Sequence, residues 1–371
     1  MKIAFAIFRY FPWGGLQRDF LRLAQEIANR GHEVTCFTGK WEGAEPAFAK
    51  VEVIPLHSKT NHGRAEEFEK VFQERIKDGA FDRTITFNRI GGADFYFAGD
   101  DCYATTFAAR RNPFLRFLPR YKVFLKQEKN IFTWDAATKI LHLSERQKTD
   151  YIRKYGTQEE RFFMLPPAGD PRCVLDENAV AYRAQRREEL RATGDQVLLL
   201  SVAADFHCKG VDRTIRAVAS LPKDMKERIV LCLIGGKDMS RRKKFMRLAD
   251  KMGIGEITVF PGPRENVHEY LAAADLMVHP ARKEATGTVL AEALAMGLPA
   301  ICTEICGFEF LLRKAKCPVV PEPFDDLTFS TILEKAINDL ETLSAGAKSV
   351  AGDLDFRRRQ QTAADLILGP L

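Results

Sequence analysis

Two glutamates on either side of a glycine and a threonine form the segment of this sequence whose residue types and spacing best fit chemistry. Glu284 precedes a predicted helix, Glu292 lies about one turn inside it, and Gly287 and Thr288 lie between them. Carboxylates accept hydrogen bonds from hydroxyl groups, and the free amides of a helix N-terminus bind anions. The segment therefore predicts a site for a sugar nucleotide, which carries hydroxyls on both sides of a diphosphate. The alternative is that Glu292 lies on a solvated helix face.

A lysine-glycine pair, Lys209 and Gly210, follows the apolar run at residues 196–202. A lysine directly before a helix can neutralise a diphosphate that also binds the free amides of that helix. A surface lysine beside a turn glycine is the alternative interpretation.

A glycine pair, Gly14 and Gly15, opens a predicted helix at residues 16–29, directly after the first apolar run at 2–8. Glycines at this position let a ligand approach backbone amides. The pattern is not G-x-G-x-x-G, so it does not indicate dinucleotide binding, and a plain turn is the alternative. Asp19 is expected in the first helical turn, where a carboxylate also interacts favourably with the helix dipole.

Short apolar runs alternate with amphipathic stretches along the chain, and this alternation predicts an α/β protein with parallel sheets. The predicted strands are residues 2–8, 33–37, 51–55, 84–87, 196–202, 228–234, 257–260, 276–279 and 299–302. Residues 101–155 are predicted to be a less regular, helical region.

Three prolines and a glycine within residues 164–171 predict a connector between two domains. The first domain would comprise residues 1–165 and the second 166–355, and a final helix within 356–371 is a candidate to cross back onto the first. Two Rossmann-like domains facing one another across a cleft would place the carboxyl ends of both sets of strands, where ligands bind in open α/β sheets, on its two sides.

The composition is that of a soluble globular protein, with 371 residues, 46% hydrophobic, 29% charged and a net charge of +6. It excludes disordered, collagenous and disulfide-miniprotein classes. The eight cysteines contain no C-x-x-C pair, which indicates reduced thiols of a cytoplasmic protein. His279 is expected to be a satisfied core residue, and no metal site is indicated.

A basic, aromatic segment runs from Arg110 to Lys129, with seven cations and Glu128 as its only anion. Alternating cations and apolar side chains favour an interfacial segment on an anionic membrane. A helix with an apolar core face and a solvated basic face is the alternative. Nucleic acid is not indicated, because no docking element is recognisable. The candidate membrane residues are Arg110, Arg111, Arg116, Phe117, Arg120, Lys122, Phe124 and Lys126.

Five segments, in the same order through nearly the whole chain, resemble the lipopolysaccharide core glucosyltransferase I family within the family 4 retaining glycosyltransferases of GT-B fold. They are Phe11 to Phe20, Asn61 to Arg64, Phe95 to Asp100, Lys209 to Arg213, and Glu284 to Glu292. The resemblance implies transfer of α-glucose from UDP-glucose to a heptose of the lipopolysaccharide inner core, with no cofactor and no bound metal. It also implies a cytoplasmic enzyme at the inner face of the cytoplasmic membrane, with an acceptor-binding first domain and a donor-binding second domain.

The resemblance also implies roles for residues of the second domain. Glu284 would hold hydroxyls of the transferred hexose and Glu292 those of the ribose, while Lys209 would stabilise the departing UDP diphosphate. The amides of Gly287 and Thr288 would assist Lys209.

In the first domain, Gly15 would approach the donor phosphates, and His62, Asp19 and Asp100 would lie on the acceptor side, the two aspartates as catalytic candidates. The family usually carries an arginine where this chain has Cys208. Arg172, just past the connector, is the candidate to supply the missing cation.

Two other functions remain open from the sequence. One is a sugar-nucleotide epimerase on the same architecture, and the other is a noncatalytic protein that binds sugar nucleotides or lipid. Release of UDP only in the presence of a glycan acceptor would distinguish transfer from epimerisation.

Overall fold

The computed structural model describes residues 1–12, 14–108, 113–236 and 238–370, and the chain divides into two compact units. Unit 1 comprises Met1–Pro166 and Arg357–Leu371, and unit 2 comprises Pro167–Phe356. The division after Pro166 falls within the proline-rich segment, and the C-terminal residues join unit 1.

Each unit is built on one parallel sheet. Within the described residues, the unit 1 sheet has the order β3-β2-β1-β4-β5-β6-β7 and the unit 2 sheet has the order β10-β9-β8-β11-β12-β13. The strands are β1 (Lys2–Ile7), β2 (Glu33–Thr38), β3 (Lys50–Val53), β4 (Arg83–Thr86), β5 (Phe95–Ala98), β6 (Lys139–His142), β7 (Phe162–Met164), β8 (Val197–Ala203), β9 (Ile229–Gly235), β10 (Thr258–Gly262), β11 (Leu276–His279), β12 (Ala300–Thr303) and β13 (Val319–Val320).

Helices cover the faces of both sheets. They are α1 (Gly15–Asn29), α2 (Asn61–Arg75), α3 (Tyr103–Ala108), α4 (Pro119–Phe132), α5 (Glu145–Tyr155), α6 (Asn178–Glu189), α7 (Val211–Ser220), α8 (Lys223–Lys226), α9 (Met239–Lys251), α10 (Val267–Ala273), α11 (Thr288–Ala295), α12 (Glu309–Lys314), α13 (Asp326–Asn338), α14 (Leu340–Ala351) and α15 (Arg358–Leu368). Among the described residues, none of these helices combines the length and the apolar character needed to cross a membrane.

The prediction of a helical region over residues 101–155 is confirmed for α3, α4 and α5, but it is wrong at residues 139–142, because β6 lies there and pairs with β5 and β7. Strands β5, β7 and β13 were also not predicted. These strands have two to four residues each. Parallel strands this short, with most side chains buried, show no alternation of apolar and polar residues, so periodicity does not distinguish them from helix.

The C-terminal helix α15 completes the core of unit 1. Its residues Ala363, Ala364 and Ile367 are at most 1% exposed and lie in the same apolar cluster as Phe20 and Leu23 of α1. The chain therefore returns from unit 2 to cover α1.

An ion pair joins the same two helices. Arg359 of α15 is 3% exposed and donates from Nη1 to Asp19 of α1 at 3.2 Å, and from Nε to the carbonyl of Pro166 at 2.8 Å. The expectation that Asp19 lies in the first turn of its helix is wrong, because α1 begins at Gly15 and its first turn carries no acidic residue.

Replacement of Ile367 by alanine should lower the free energy of unfolding of unit 1 by about 2–5 kcal/mol, because it leaves a cavity in the apolar cluster that α15 shares with α1. All three tryptophans of the chain belong to unit 1, so their fluorescence during urea denaturation reports this unit. Gln361→Ala, at an exposed position of the same helix, is the matched control. Equal effects of the two substitutions would contradict the packing of α15.

Candidate active site

The candidate site of unit 2 lies where two neighbouring strands end. Strands β8 and β11 pair in register, with Leu199 opposite Leu276 and Leu200 opposite Met277. Because parallel strands end at the same edge of the sheet, the loop at residues 204–210 after β8 and the loop at 280–287 after β11 emerge side by side.

Backbone contacts hold these two loops together. The carbonyl of Cys208 accepts hydrogen bonds from the amides of Arg282 at 2.8 Å and Lys283 at 3.2 Å. Gly210 has φ of 71°, and a Cβ there would lie 2.0 Å from the carbonyl oxygen of Pro280. The close approach therefore requires glycine at position 210.

Two arginines reinforce the contact between the loops at residues 204–210 and 280–287. Both terminal nitrogens of Arg282 bind the carboxylate of Asp212, at 2.6 and 2.7 Å. Arg213 donates to the carbonyls of Pro280 and Ala281 at 3.2 Å each, and its guanidinium lies 3.6 Å from the ring centroid of Phe324. The guanidinium groups of Arg282 and Arg213 therefore bind partners within the protein and hold the two loops together.

The contact between these two loops places Lys209 against Glu284. The Lys209 Nζ lies 2.6 Å from Glu284 Oε2 and 3.4 Å from the carbonyl of Lys283. The ring Nε2 of His279, the last residue of β11, lies 3.0 Å from the same carboxylate oxygen. Glu284 is therefore held through Oε2 by two groups from two strand ends.

The electrostatics of this cluster favour an ionised Glu284, whose side chain is 12% exposed. Burial opposes ionisation, but hydrogen bonds and charge from His279 and Lys209 outweigh it and lower the pKa of Glu284 to about 2. At neutral pH the site therefore contains a fixed carboxylate.

The loop that carries Glu284 is also held from the side of β12. The amide of Phe308 donates to the carbonyl of Thr286 at 2.7 Å, and a Cβ at Gly307 would lie 2.1 Å from the carbonyl oxygen of Ala285. The loop ends at Gly287, whose φ of 85° precedes α11. Within the described residues no side chain caps this helix, so its first amides can bind an anion.

Glu292, on α11, contacts the segment that follows the division between the units. Its Oε1 accepts a hydrogen bond from the amide of Asp170 at 2.9 Å. The carboxylate of Asp170 binds the Nε and Nη2 of Arg172, which also donates to the carbonyl of Glu265 at 2.9 Å. The structure thus brings Lys209, Glu284, Gly287 and Thr288 to the adjoining ends of β8 and β11, and it gives Arg172 an acidic partner.

The remaining candidates lie in unit 1. A Cβ at Gly15, the first residue of α1, would meet nothing within 4 Å, so the space on the side-chain side of its Cα is open. Asp19 is paired with Arg359, and His62 lies near the start of α2 with Nε2 3.4 Å from the hydroxyl of Thr60. Trp13 lies outside the described residues.

Asp100 is connected to a buried carboxylate that the sequence did not reveal. Its side chain is 59% exposed and lies 3.5 Å from Nη1 of Arg89, whose Nε donates to Glu128 at 3.1 Å. Glu128 is fully buried and also accepts hydrogen bonds from the amides of Tyr103 and Ala104 at the start of α3. The inner face of α4 therefore fixes the chain around Asp100.

The outer face of α4 carries the second part of the basic segment. Arg120, Lys122 and Lys126 are exposed, and the ring of Phe124 lies 5.6 Å from the guanidinium of Arg120. Phe117, just before α4, is 59% exposed. Arg110 and Arg111 lie outside the described residues, as does the side chain of Arg116.

Sequence reasoning missed the contact of His279 with Glu284. His279 is buried as expected, at 2% exposure, but its ring reaches the site. The signal in the sequence was the position of His279 at the carboxyl end of a predicted strand, where ligands bind in open α/β sheets. Among the described residues, no group of three or more histidine, cysteine or acidic side chains could hold a metal ion.

Comparisons with known proteins agree with this architecture. The family described as "Glycosyl transferases group 1" matches residues 183–348. The lipopolysaccharide glucosyltransferase WaaG of Escherichia coli K12 is 38% identical over 375 aligned residues, which cover all of both chains. A crystal structure of WaaG aligns with a TM-score of 0.87 over 99% of this chain and 100% of that chain. Anabaena HepE in complex with UDP-glucose is 17% identical, with a TM-score of 0.71 over 99% and 98% of the two chains, and establishes the fold alone.

Two parallel-sheet units, together with this match, define a glycosyltransferase of the GT-B class. Within that class, the chain belongs to the same family as the lipopolysaccharide glucosyltransferase WaaG, since the similarity extends over its full length.

The ionised Glu284 should make stability depend on pH. Because its pKa falls from an ordinary 4.5 to about 2 on folding, the carboxylate stabilises the folded state above about pH 4.5 and this contribution disappears as the pH approaches 2. The difference in unfolding free energy between the wild type and Glu284→Gln should therefore shrink with acidification, by on the order of 3 kcal/mol over the whole range.

Urea denaturation followed by circular dichroism between about pH 6 and about pH 3 measures this difference. Glu66→Gln, at an exposed position of α2, is the control. A difference for Glu284→Gln that is constant with pH would contradict the assigned pKa.

Proposed function

We propose that this protein transfers α-glucose from UDP-glucose to a heptose of the lipopolysaccharide inner core, with retention of the anomeric configuration. The observation that carries the proposal is the Lys209–Glu284 pair beside the open N-terminus of α11, in a chain related over its full length to WaaG. Lys209 and the helix amides suit a diphosphate, and Glu284 suits the hydroxyls of a hexose attached to it.

Stabilisation of the leaving group is the main catalytic task in this proposal. Breaking the bond between the anomeric carbon and UDP leaves an oxocarbenium-like sugar and adds negative charge to the diphosphate. Once the donor is bound, the Lys209 ammonium and the first amides of α11 lie at the diphosphate before its bond breaks, so they stabilise this charge without further reorganisation. The diphosphate oxygen itself can take the proton of the acceptor hydroxyl, which attacks from the face that UDP leaves.

Glu284 has two tasks in the same scheme. Its Oε2 is occupied by Lys209 and His279, and accepting hydrogen bonds from the hexose through the carboxylate would orient the sugar. Donor binding would draw Lys209 towards the diphosphate, while His279 keeps Glu284 in place. Glu292 would accept hydrogen bonds from the ribose, and Arg172 would act as a donor-binding cation only after release from Asp170.

The acceptor side is assigned to unit 1. Asp100 is exposed beside Arg89, and we include it with Asp19 and His62 as acceptor-side residues and Gly15 as the glycine that approaches the donor phosphates. The Arg359 partner of Asp19 favours a structural role for that carboxylate. Asp100 is thus the stronger catalytic candidate of the two.

A peripheral position on the inner face of the cytoplasmic membrane also belongs to the proposal. The cations of α4 point away from a core-facing side that contains Tyr121 and Ile131, and exposed aromatic side chains precede the helix. This combination suits the anionic headgroups that surround a lipid-linked acceptor.

Lys209→Ala and Glu284→Gln should each lower kcat/KM at least about a hundredfold, because each removes a group that acts on the transition state. The assay mixes purified protein, UDP-glucose and core lipopolysaccharide from a strain that lacks the corresponding transferase, and measures released UDP and the mass of the core. Lys223→Ala, at a lysine that is 90% exposed in the same unit, is the control.

Full activity in both variants would contradict the assigned site. Conversion of UDP-glucose to another UDP-hexose without an acceptor would favour the epimerase, and UDP-glucose binding without turnover would favour a noncatalytic protein. Unchanged core mass would contradict the proposed acceptor.

Charge reversal on α4 should weaken membrane binding. Each basic residue near an anionic surface contributes about 1 kcal/mol, so Arg120→Glu with Lys126→Glu should lower partitioning into phosphatidylglycerol-containing vesicles more than tenfold. Co-sedimentation of the protein with the vesicles measures this partitioning. Salt at roughly 1 M should weaken wild-type binding, because it screens the charges. Lys70→Glu with Lys77→Glu, at exposed positions elsewhere in unit 1, is the control. Equal losses of vesicle binding in the two double variants, or vesicle binding that salt does not affect, would contradict a specific role for α4.

A further inference from the structure

Lys209 alone does not neutralise the negative charge of a diphosphate at the proposed donor site. A nucleotide diphosphate carries negative charge on both phosphates and gains more when the glycosyl bond breaks. Lys209 already faces the ionised carboxylate of Glu284 at 2.6 Å, so the two groups together add no net positive charge to the site. This inference rests on the proposed function, since it concerns the diphosphate of the same donor.

Two arginines close to these loops, Arg282 and Arg213, already bind partners within the protein. Arg282 is bound through both terminal nitrogens to Asp212, and Arg213 is held by two backbone carbonyls and the ring of Phe324. Moving either one to a ligand would release the contacts that hold the loops together.

Lys283 differs from these cations. Its backbone amide binds the carbonyl of Cys208 at 3.2 Å, and its own carbonyl accepts from Lys209 Nζ at 3.4 Å, so its backbone is fixed between the two loops. Its side chain is exposed, and in the described parts of the chain no carboxylate lies within ion-pair distance of it.

The ammonium of Lys283 also acts on Cys208. Burial and the carboxylate of Asp205 raise the pKa of the Cys208 thiol, whereas the ammonium groups of Lys209 and Lys283 oppose this rise. Lys283 therefore contributes positive potential at Cys208, next to the lysine assigned to the diphosphate. Cys208 itself offers no cation there.

We infer that Lys283 is a second phosphate-binding residue, which supplies from the β11 loop a positive charge that position 208 of the β8 loop lacks. A lysine on a flexible stem reaches a diphosphate as a point charge and needs no fixed geometry. The fixed backbone of Lys283 restricts that reach to the neighbourhood of Lys209.

Binding of UDP and of uridine, measured by isothermal titration calorimetry on the full chain, tests the inference. Lys283→Ala should weaken UDP binding about tenfold, as expected for loss of one charge-assisted contact, and leave uridine binding unchanged because uridine has no phosphate. Lys283→Arg should retain UDP affinity. Lys223→Ala is the matched control and should change neither ligand.

A second substitution tests the place of the charge. Cys208→Arg in the Lys283→Ala background adds a guanidinium to the facing loop and should recover most of the lost UDP affinity. A purely structural role of Lys283 would instead lower the thermal unfolding temperature and would not respond to Cys208→Arg.

The outcomes separate this inference from the proposed function. Wild-type affinity for UDP in Lys283→Ala, or equal weakening of UDP and uridine, would overturn the inference alone, provided that Lys209→Ala weakens UDP binding. Failure of the wild type to bind UDP would contradict the proposed function, and the inference with it.

Discussion

One carboxylate oxygen, Oε2 of Glu284, connects the ends of two strands through Lys209 and His279, and the candidate site depends on this contact. An ionised group at 12% exposure is costly unless charged and hydrogen-bonding partners surround it. Here the partners come from the loop after β8 and from the end of β11, so the electrostatics of the site also position its loops. A ligand that takes Lys209 must offer it a compensating negative charge, which a diphosphate does.

Steric contacts as well as electrostatic ones hold the two loops in place. Gly210 and Gly307 each meet a carbonyl oxygen at a distance that no Cβ would tolerate, from opposite sides of the loop at residues 280–287. Arg282 and Arg213 fasten the same loop with directional hydrogen bonds. Contacts of this kind preorganise the site, which dipoles require in order to stabilise a developing charge.

The sequence was informative where a signal is local. Long apolar strands such as β1 and β8, the glycines before α7 and α11, and the pair Glu284 and Glu292 follow from short patterns. Contacts over long separations do not: Lys209 meets Glu284 across 75 residues and Asp19 meets Arg359 across 340. The four-residue strand β6 was missed because burial on both faces removes the periodic signal. The roles of the site residues, which came from resemblance, remain predictions.

Helix α15 gives unit 1 a discontinuous sequence, with all of unit 2 between its two parts. During synthesis, Phe20 and Leu23 of α1 remain uncovered on one side until the final helix has been translated. Unit 2, whose sequence is continuous, has all of its own residues available earlier. The architecture therefore lets the second half of the chain fold before the first half is complete, and the early part of the chain must avoid aggregation during that interval.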